Sequence, residues 1–296
     1  MRSLRVRSPA KLNLFLHITG RRADGYHNLQ TLFQFVDLCD ELELAVTTDG
    51  QLEVTPPLPD LPPEANLIYR AARCLQAHTG STLGARIHLH KRIPMGGGLG
   101  GGSSNAASTL VALNHLWGTG LHRQQLQSLG LTLGADVPVF IYGHAALAEG
   151  VGERLQAVDP PQPWYLIAAP DCHASTAELF QAKQLTRDSK LLRIRDFLAG
   201  EGHNDFEPVL RERFPLIDRC LTLMNREGAA KVTGSGACLF LACRDQADAE
   251  QKRQSLVAKM SSFDIAESAV SWKIAKGRND SPLYTGELSR PDFQPD

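Results

Sequence analysis

From Lys11 to Ile18 the chain alternates between apolar and polar positions with a period of two, which predicts a strand. Leu12, Leu14, Leu16 and Ile18 fall on one face, and Lys11, Asn13, Phe15 and His17 on the other. The leucine face belongs to a core, and the face carrying Lys11 and Asn13 is polar enough to line a site. Leu4 and Val6 extend the strand character upstream. A turn-rich stretch from Gly20 to His27 precedes an apolar block, Leu32 to Val36, and residues 40–46 alternate again with Leu42, Leu44 and Val46 inward. The prolines between Pro56 and Pro63 predict a loop, since each fixes φ and removes a donor. Asn66 is placed to cap a helix running to about His78, and residues 85–93 read as a further strand.

Pro94 opens a glycine-rich turn. From Ser103 or Ser104 a helix of small and apolar residues runs to about Trp117, and another spans roughly 123–133 before Gly134-Ala135-Asp136-Val137-Pro138 breaks it. Hairpin strands are expected over 145–158 and a strand over 164–169. Helices follow at about 174–183, 206–213, 215–226 and 246–260, with a strand–glycine–strand unit, 231–243, between the last two. The polar, proline-bearing end is expected to be loosely ordered. The order of elements is mixed α/β without regular alternation, so a doubly wound sheet is not predicted. The expected division is 1–155, 156–276 and a tail of 277–296.

Composition narrows the function. The 296 residues are 43% apolar and 21% charged, and 31 lysines and arginines face 32 carboxylates, for a net charge of −1. A dedicated nucleic-acid binder would carry a basic excess. No segment is apolar for the roughly 18 residues a membrane span needs, and the first residues lack an apolar signal core, so a cytoplasmic location is expected. The six cysteines form no CxxC pair and read as buried thiols rather than a zinc site. His88 and His90 share a strand face but have no third ligand in the pattern, which fits a partly exposed sheet.

The densest signal is Pro94-Met95-Gly96-Gly97-Gly98-Leu99-Gly100-Gly101-Gly102-Ser103-Ser104. At the start of a helix, such a loop exposes amides to an anion. No GxxxxGK pattern is present, and no acidic residue lies about 20 positions later, as a dinucleotide site would want. From Ala65 through Ala135 there is no carboxylate, while Arg70, Arg73, Arg86, Lys91, Arg92 and Arg123 all fall in that stretch. The local positive excess favours a polyanion such as ATP. Asp136 ends the acid-free stretch at an element boundary. Local sequence leaves two readings for it, a displayed catalytic group or a turn aspartate bonding its own backbone.

Pro9-Ala10-Lys11-Leu12-Asn13-Leu14, the loop 94–104, and Thr233-Gly234-Ser235-Gly236-Ala237-Cys238 resemble the three motifs of the GHMP kinases. Asp24-Gly25-Tyr26-His27-Asn28-Leu29, the serines ending the glycine loop, and Leu133 to Pro138 resemble the branch that phosphorylates 4-diphosphocytidyl-2-C-methyl-D-erythritol in non-mevalonate isoprenoid synthesis. The resemblance implies an α/β (α+β) fold of two domains, the first like ribosomal protein S5 domain 2 and the second a GHMP kinase C-terminal domain. ATP with Mg²⁺ and a small-molecule substrate would lie in the cleft between them, without nucleic acid or membrane.

By motif position, Pro94 through Ser104 would wrap the triphosphate, and Lys11 and Asp136 would be the catalytic pair. Asn13, Tyr26, His27, Thr176 and Phe180 would contact the cytidine substrate, with Phe180 stacked on the base opposite Tyr26. His27 is the residue expected to read the cytosine edge, by side chain or backbone. No acidic residue near the loop offers itself to magnesium, which leaves Ser104, phosphate oxygens and water. A homoserine- or mevalonate-type GHMP kinase is the alternative reading.

Overall fold

The computed structural model describes residues 2–23, 25–58, 62–285 and 288. Asp24, part of one motif above, lies outside them. The chain opens with two long antiparallel strands, β1 (Ser3–Arg21) and β2 (His27–Thr47). The apolar block and the alternating run expected as separate pieces are one strand. Pro9 pairs with Cys39 but Ala10 pairs with Val36, so a bulge absorbs Asp37 and Leu38 without ending the strand. Residues 8–16 of β1 are buried throughout, so the face carrying Lys11 and Asn13 is covered as fully as the leucine face.

The first half continues with β3 (Leu52–Thr55), α1 (Leu67–Thr79) and β4 (Gly84–His90), then α2 (Gly101–Trp117) and α3 (Arg123–Leu131). It closes with α4 (Val137–Tyr142) and the hairpin β5 (Ala146–Gly150) and β6 (Arg154–Ala157). Asn66 caps α1 as expected, its side chain accepting from the Ile68 amide at 2.9 Å. The expected break is present, α3 ending at Leu131 and α4 beginning at Val137, where Pro138 in the first turn lacks only an N–H that needs no partner there. α2 is buried on nearly every side, as a helix of small and apolar residues must be. It packs on α1, α4 and β1.

The second half comprises β7 (Trp164–Pro170), α5 (Thr176–Phe180), α6 (Ile194–Leu198), α7 (Glu207–Arg213), α8 (Pro215–Met224), β8 (Ala230–Val232), β9 (Leu239–Cys243), α9 (Gln246–Lys259) and β10 (Val270–Arg278). The strands run in the order β3-β4-β2-β10-β7-β9-β8, with β1 and β5 also paired to β2 and β6 to β5. Among the described pairings of these strands, only β3–β4 is parallel. β10 lies along β7 and touches β2 at Gly277–Val36 and Arg278–Phe35. A shared core, including Leu12, Leu14, Val36, Leu99, Tyr165, Ile167 and Phe240, fills the space between the halves.

The expectation of a loose tail at 277–296 is corrected for its described part. Residues 277 and 278 complete β10, Ala145 N–H donates to Asn279 O at 2.7 Å, and Ser281 N–H donates to Gly143 O at 2.9 Å. Leu283 and Leu288 are buried in the first core. Their apolar side chains, spaced among polar residues, gain more by burial than the segment loses by ordering. Among the described residues no helix is long and apolar enough to cross a membrane.

Candidate active site

Lys11 is 2% exposed, and a buried ammonium needs all three of its N–H groups matched. It donates to Asn13 Oδ1 at 2.6 Å and Gly98 O at 3.0 Å, and its Nζ lies 3.1 Å from Asp136 Oδ2. Asn13 is fixed in turn. Its Nδ2 donates to Thr31 Oγ1 at 2.9 Å, and its backbone N–H donates to Thr233 Oγ1 at 2.9 Å. The face of β1 that alternation set apart thus meets the glycine loop and the third glycine motif at one point.

Asp136 sits at the N-terminus of α4 but makes no capping bond with its side chain. At 35% exposed, its carboxylate faces both Lys11 and open space, which favours the displayed group over the self-bonded turn aspartate. Lys11→Ala should leave Asn13 Oδ1, Gly98 O and the carboxylate without their cation. Turnover is expected to fall by about 10²–10³-fold, and the Tm should drop, since hydrogen bonds to charged groups contribute roughly 1.5–3 kcal/mol each. Steady-state rates and a melting curve check both.

The glycine loop lines a cavity of about 620 Å³ together with Lys91, Asn105, Asp136, His173 and Ser235. Two of its glycines are required by geometry. Gly98 has φ +77°, and a Cβ there would lie 2.3 Å from Thr233 O; Gly100 has φ +71°, and a Cβ would meet Phe140 Cζ at 2.9 Å and Lys11 Cε at 3.0 Å. Gly100 is the N-cap of α2 and offers no capping side chain, so the first amides of that helix are open to an anion. The loop is tied down on both sides, by Lys11 N–H to Leu99 O and by Cys238 N–H to Gly97 O, each 3.0 Å. Its entry is anchored by Asp40, fully buried, which accepts from Arg92 N and Ile93 N at 2.7 and 2.8 Å and pairs with Lys91 Nζ at 2.7 Å. Burial pushes the Lys91 ammonium below its ordinary value, and Asp40 opposes that shift.

A second, larger cavity of about 1150 Å³ is lined by Arg21, Arg22, Tyr26, His27, Phe180 and Arg187, among others, with Leu133, Gly134 and Ala135 on one wall. Those wall residues lead directly into Asp136, so the carboxylate stands where the two cavities adjoin. Tyr26 is 67% exposed. The ring stacked on Phe180 is that of His27, at 4.7 Å between centroids and 16° between planes. Desolvation and the charges of Arg187 and Arg21 hold the His27 pKa below its usual value.

The sequence-derived residues therefore divide. Lys11, Asn13 and Asp136 converge, Pro94 through Ser103 line the first cavity, and Tyr26, His27 and Phe180 line the second. Thr176 lies on the first, its hydroxyl 2.7 Å from Ser235 Oγ. Ser104 is fully buried and does not form part of the first cavity's wall; Asn105 does. Three structural contributors were missed. Asp40 was read only as a strand residue. Asn204 holds the third motif by donating to Val232 O and Gly234 O at 3.0 and 2.8 Å. Arg187 contacts His27 from 160 residues away, a separation no local pattern reveals. Glu41, Glu43 and His90 bring ligand atoms within 4.8 Å of one another, but Arg5 already pairs with both glutamates.

The family model for the GHMP kinases N terminal domain matches residues 66–144, and that for GHMP kinases C terminal matches 182–262. A 4-diphosphocytidyl-2-C-methyl-D-erythritol kinase of Nitrosococcus oceani is 56% identical over 278 residues, covering 93% of this chain and 95% of its own length. The chain belongs to the GHMP kinase family. A kinase of the same description from Ectopseudomonas mendocina is 50% identical, over 94% of this chain and 92% of its own. The crystal structure of a 4-(cytidine 5'-diphospho)-2C-methyl-D-erythritol kinase superposes with a TM-score of 0.78 at 31% identity, covering 93% of this chain and 99% of that one. A homoserine kinase from Cytophaga hutchinsonii, with a TM-score of 0.64 at 20% identity over 95% and 96% of the two chains, shares the GHMP kinase fold.

Proposed function

We propose that this GHMP kinase transfers the γ-phosphoryl group of ATP to the 2-hydroxyl of 4-diphosphocytidyl-2-C-methyl-D-erythritol, a step of the non-mevalonate isoprenoid pathway. The observation that carries the reading is the Lys11–Asp136 contact of 3.1 Å where a glycine-loop cavity adjoins one lined by aromatic rings and arginines. Relatives at 50–56% identity bearing that activity in their names support it.

Phosphoryl transfer asks for positioning and charge neutralisation more than for covalent chemistry. The loop amides and the α2 N-terminus hold the polyphosphate, with Pro94 through Ser103 as its wall. Asp136 accepts the proton of the acceptor hydroxyl as its oxygen forms a bond to the γ-phosphorus and the bond to the ADP oxygen breaks. Lys11, fixed by Asn13 and Gly98 O, places positive charge beside that oxygen as negative charge develops. Tyr26, His27 and Phe180 take the nucleotide end in the second cavity, and Thr176 with Ser235 faces the phosphates.

Magnesium fits the residues present. Asn105 Oδ1 is buried with no hydrogen-bond partner, on the wall of the ATP cavity, and Ser103 and Asp136 offer further oxygens to a hard cation that prefers them. When bound, the ion neutralises charge on the phosphate oxygens.

A substrate panel tests the reading. ADP release is expected with the diphosphocytidyl substrate and at least about 100-fold less with homoserine or mevalonate, for which the nucleotide-binding wall has no partner. Equal rates with homoserine or mevalonate would overturn it.

A further inference from the structure

Asp136 stands at the head of α4, which is six residues long and too short to hold its own direction in water. Its seat is therefore set by what packs against it. On the inner side Val137, Val139, Phe140 and Ile141 are buried in the first core. The Phe140 ring lies 5.7 Å from that of Phe35 and against Gly100 of the phosphate loop, which makes it a pivot. On the flank, α3 approaches closely at Gly130, where a Cβ would meet Val137 Cγ1 at 2.7 Å and Ile141 Cδ1 at 2.8 Å.

The far end of α4 is closed by a segment from the other end of the chain. Tyr284 Oη donates to Ile141 O, one of the carbonyls that a helix end leaves open. Its ring fills the space beside Gly143, where a Cβ would lie 2.6 Å from Tyr284 Cδ2 at a φ of +81°. Burial pushes the phenol above its ordinary pKa, so the hydroxyl keeps its proton and donates. The Arg123 guanidinium, at the start of α3, lies over the same ring at 5.4 Å from its centroid. Ser281 N–H donates to Gly143 O, Ala145 N–H donates to Asn279 O, and His144 Nδ1 lies 2.8 Å from Asp280 Oδ1. Residues 279–284 thus wrap the turn that follows α4. They continue directly from β10, which pairs along β7, so the segment ties α4 to the second half of the molecule.

We propose that Tyr284 is a positioning residue for Asp136. By holding the last turn of α4 it stops the helix from rocking about Phe140, and so keeps the carboxylate between Lys11 and the acceptor hydroxyl. The inference rests on the function proposed above, in which Asp136 is the base. The Asp136 side chain makes no capping bond, so the α4 backbone and Lys11, at 3.1 Å, decide where it stands. A displacement of about 1 Å at a reacting group can cost about 10²-fold in rate. Tyr284 lines neither the first nor the second cavity, so its loss should spare binding.

The test compares four proteins: wild type, Tyr284→Phe, Asp136→Asn and the double variant. Tyr284→Phe keeps the ring beside Gly143 and under Arg123, which preserves the fold, and removes the bond to Ile141 O. Its kcat should fall about tenfold, with KM for ATP and for the diphosphocytidyl substrate within about twofold. In the Asp136→Asn background the same change should lower the residual rate by less than about twofold, because a residue acting through the carboxylate has nothing left to act on. A Tyr284→Phe enzyme with the wild-type kcat would overturn the proposal. So would an equal fractional loss in both backgrounds, or a rise in KM without a fall in kcat, which are the marks of a general loosening. A wild-type enzyme inactive on this substrate but active on another alcohol would instead refute the proposed substrate, and the same four rates on that alcohol would still decide the role of Tyr284.

Discussion

Asp136→Asn is expected to lower turnover by about 10³-fold, within the range that loss of a general base produces, while ATP affinity changes by less than about threefold. The substitution keeps the shape of the side chain, and its amide oxygen can still accept from Lys11. The carboxylate makes no helix-capping bond and is partly exposed, so little folding stability rides on its charge. What the amide cannot do is take the proton of the acceptor hydroxyl. The nearest cation, Lys11, is committed to Asn13, Gly98 O and residue 136. Turnover by coupled ADP detection and ATP affinity by calorimetry separate the two effects. Turnover near wild type would place the base elsewhere.

Gly98→Ala is expected to be nearly as damaging, through the backbone. A Cβ at this residue would lie 2.3 Å from Thr233 O at a φ of +77°. The left-handed conformation alone costs an ordinary residue roughly 1–2 kcal/mol, and the clash must be relieved by separating the phosphate loop from the third motif. The same shift would displace Gly98 O from Lys11 and disturb the catalytic lysine. We expect KM for ATP to rise at least about tenfold, turnover to fall at least about 100-fold, and the Tm to drop by several degrees, at roughly 2–4 °C per kcal/mol in larger domains. Gly80→Ala is the control. Gly80 has φ +69° but nothing within 4 Å of a Cβ, so it carries the strain without the clash. That variant should lose some Tm and keep its KM for ATP; an equal rise in KM would show that the clash at Gly98 is not the cause.

Where local physics decided the outcome, the sequence was legible. Period-two alternation marked β1, Asn66 marked the start of α1, and the run of small residues marked a buried α2. The glycine density by itself marked an anion loop. Legibility failed where the deciding contact is distant. β10 carries apolar Val270, Trp272 and Ile274 at alternate positions, but its partner β7 lies far earlier in the chain and no local pattern joins the two. The segment after it looks polar but orders because Leu283 and Leu288 find the first core.

The same division holds for the site. Lys11 could be set apart by its strand face, and Asp136 by ending an acid-free stretch. Their meeting depends on the fold, and the fit of His27, Phe180 and Arg187 depends on side-chain packing across separate segments. Ser104 was expected to reach metal or phosphate from its position beside Ser103, but adjacent residues on a helix point about 100° apart. Ser103 lines the cavity, while Ser104 turns into the core.

The most direct measurement is a ³¹P NMR time course of the protein mixed with Mg-ATP and 4-diphosphocytidyl-2-C-methyl-D-erythritol. A new phosphomonoester resonance should grow in step with ADP, and neither should appear when Asp136→Asn replaces the wild-type chain over the same interval. Release of inorganic phosphate in place of the monoester, or a monoester formed equally fast by the variant, would contradict the assignment of a lysine–aspartate pair that directs ATP's terminal phosphoryl group onto the alcohol.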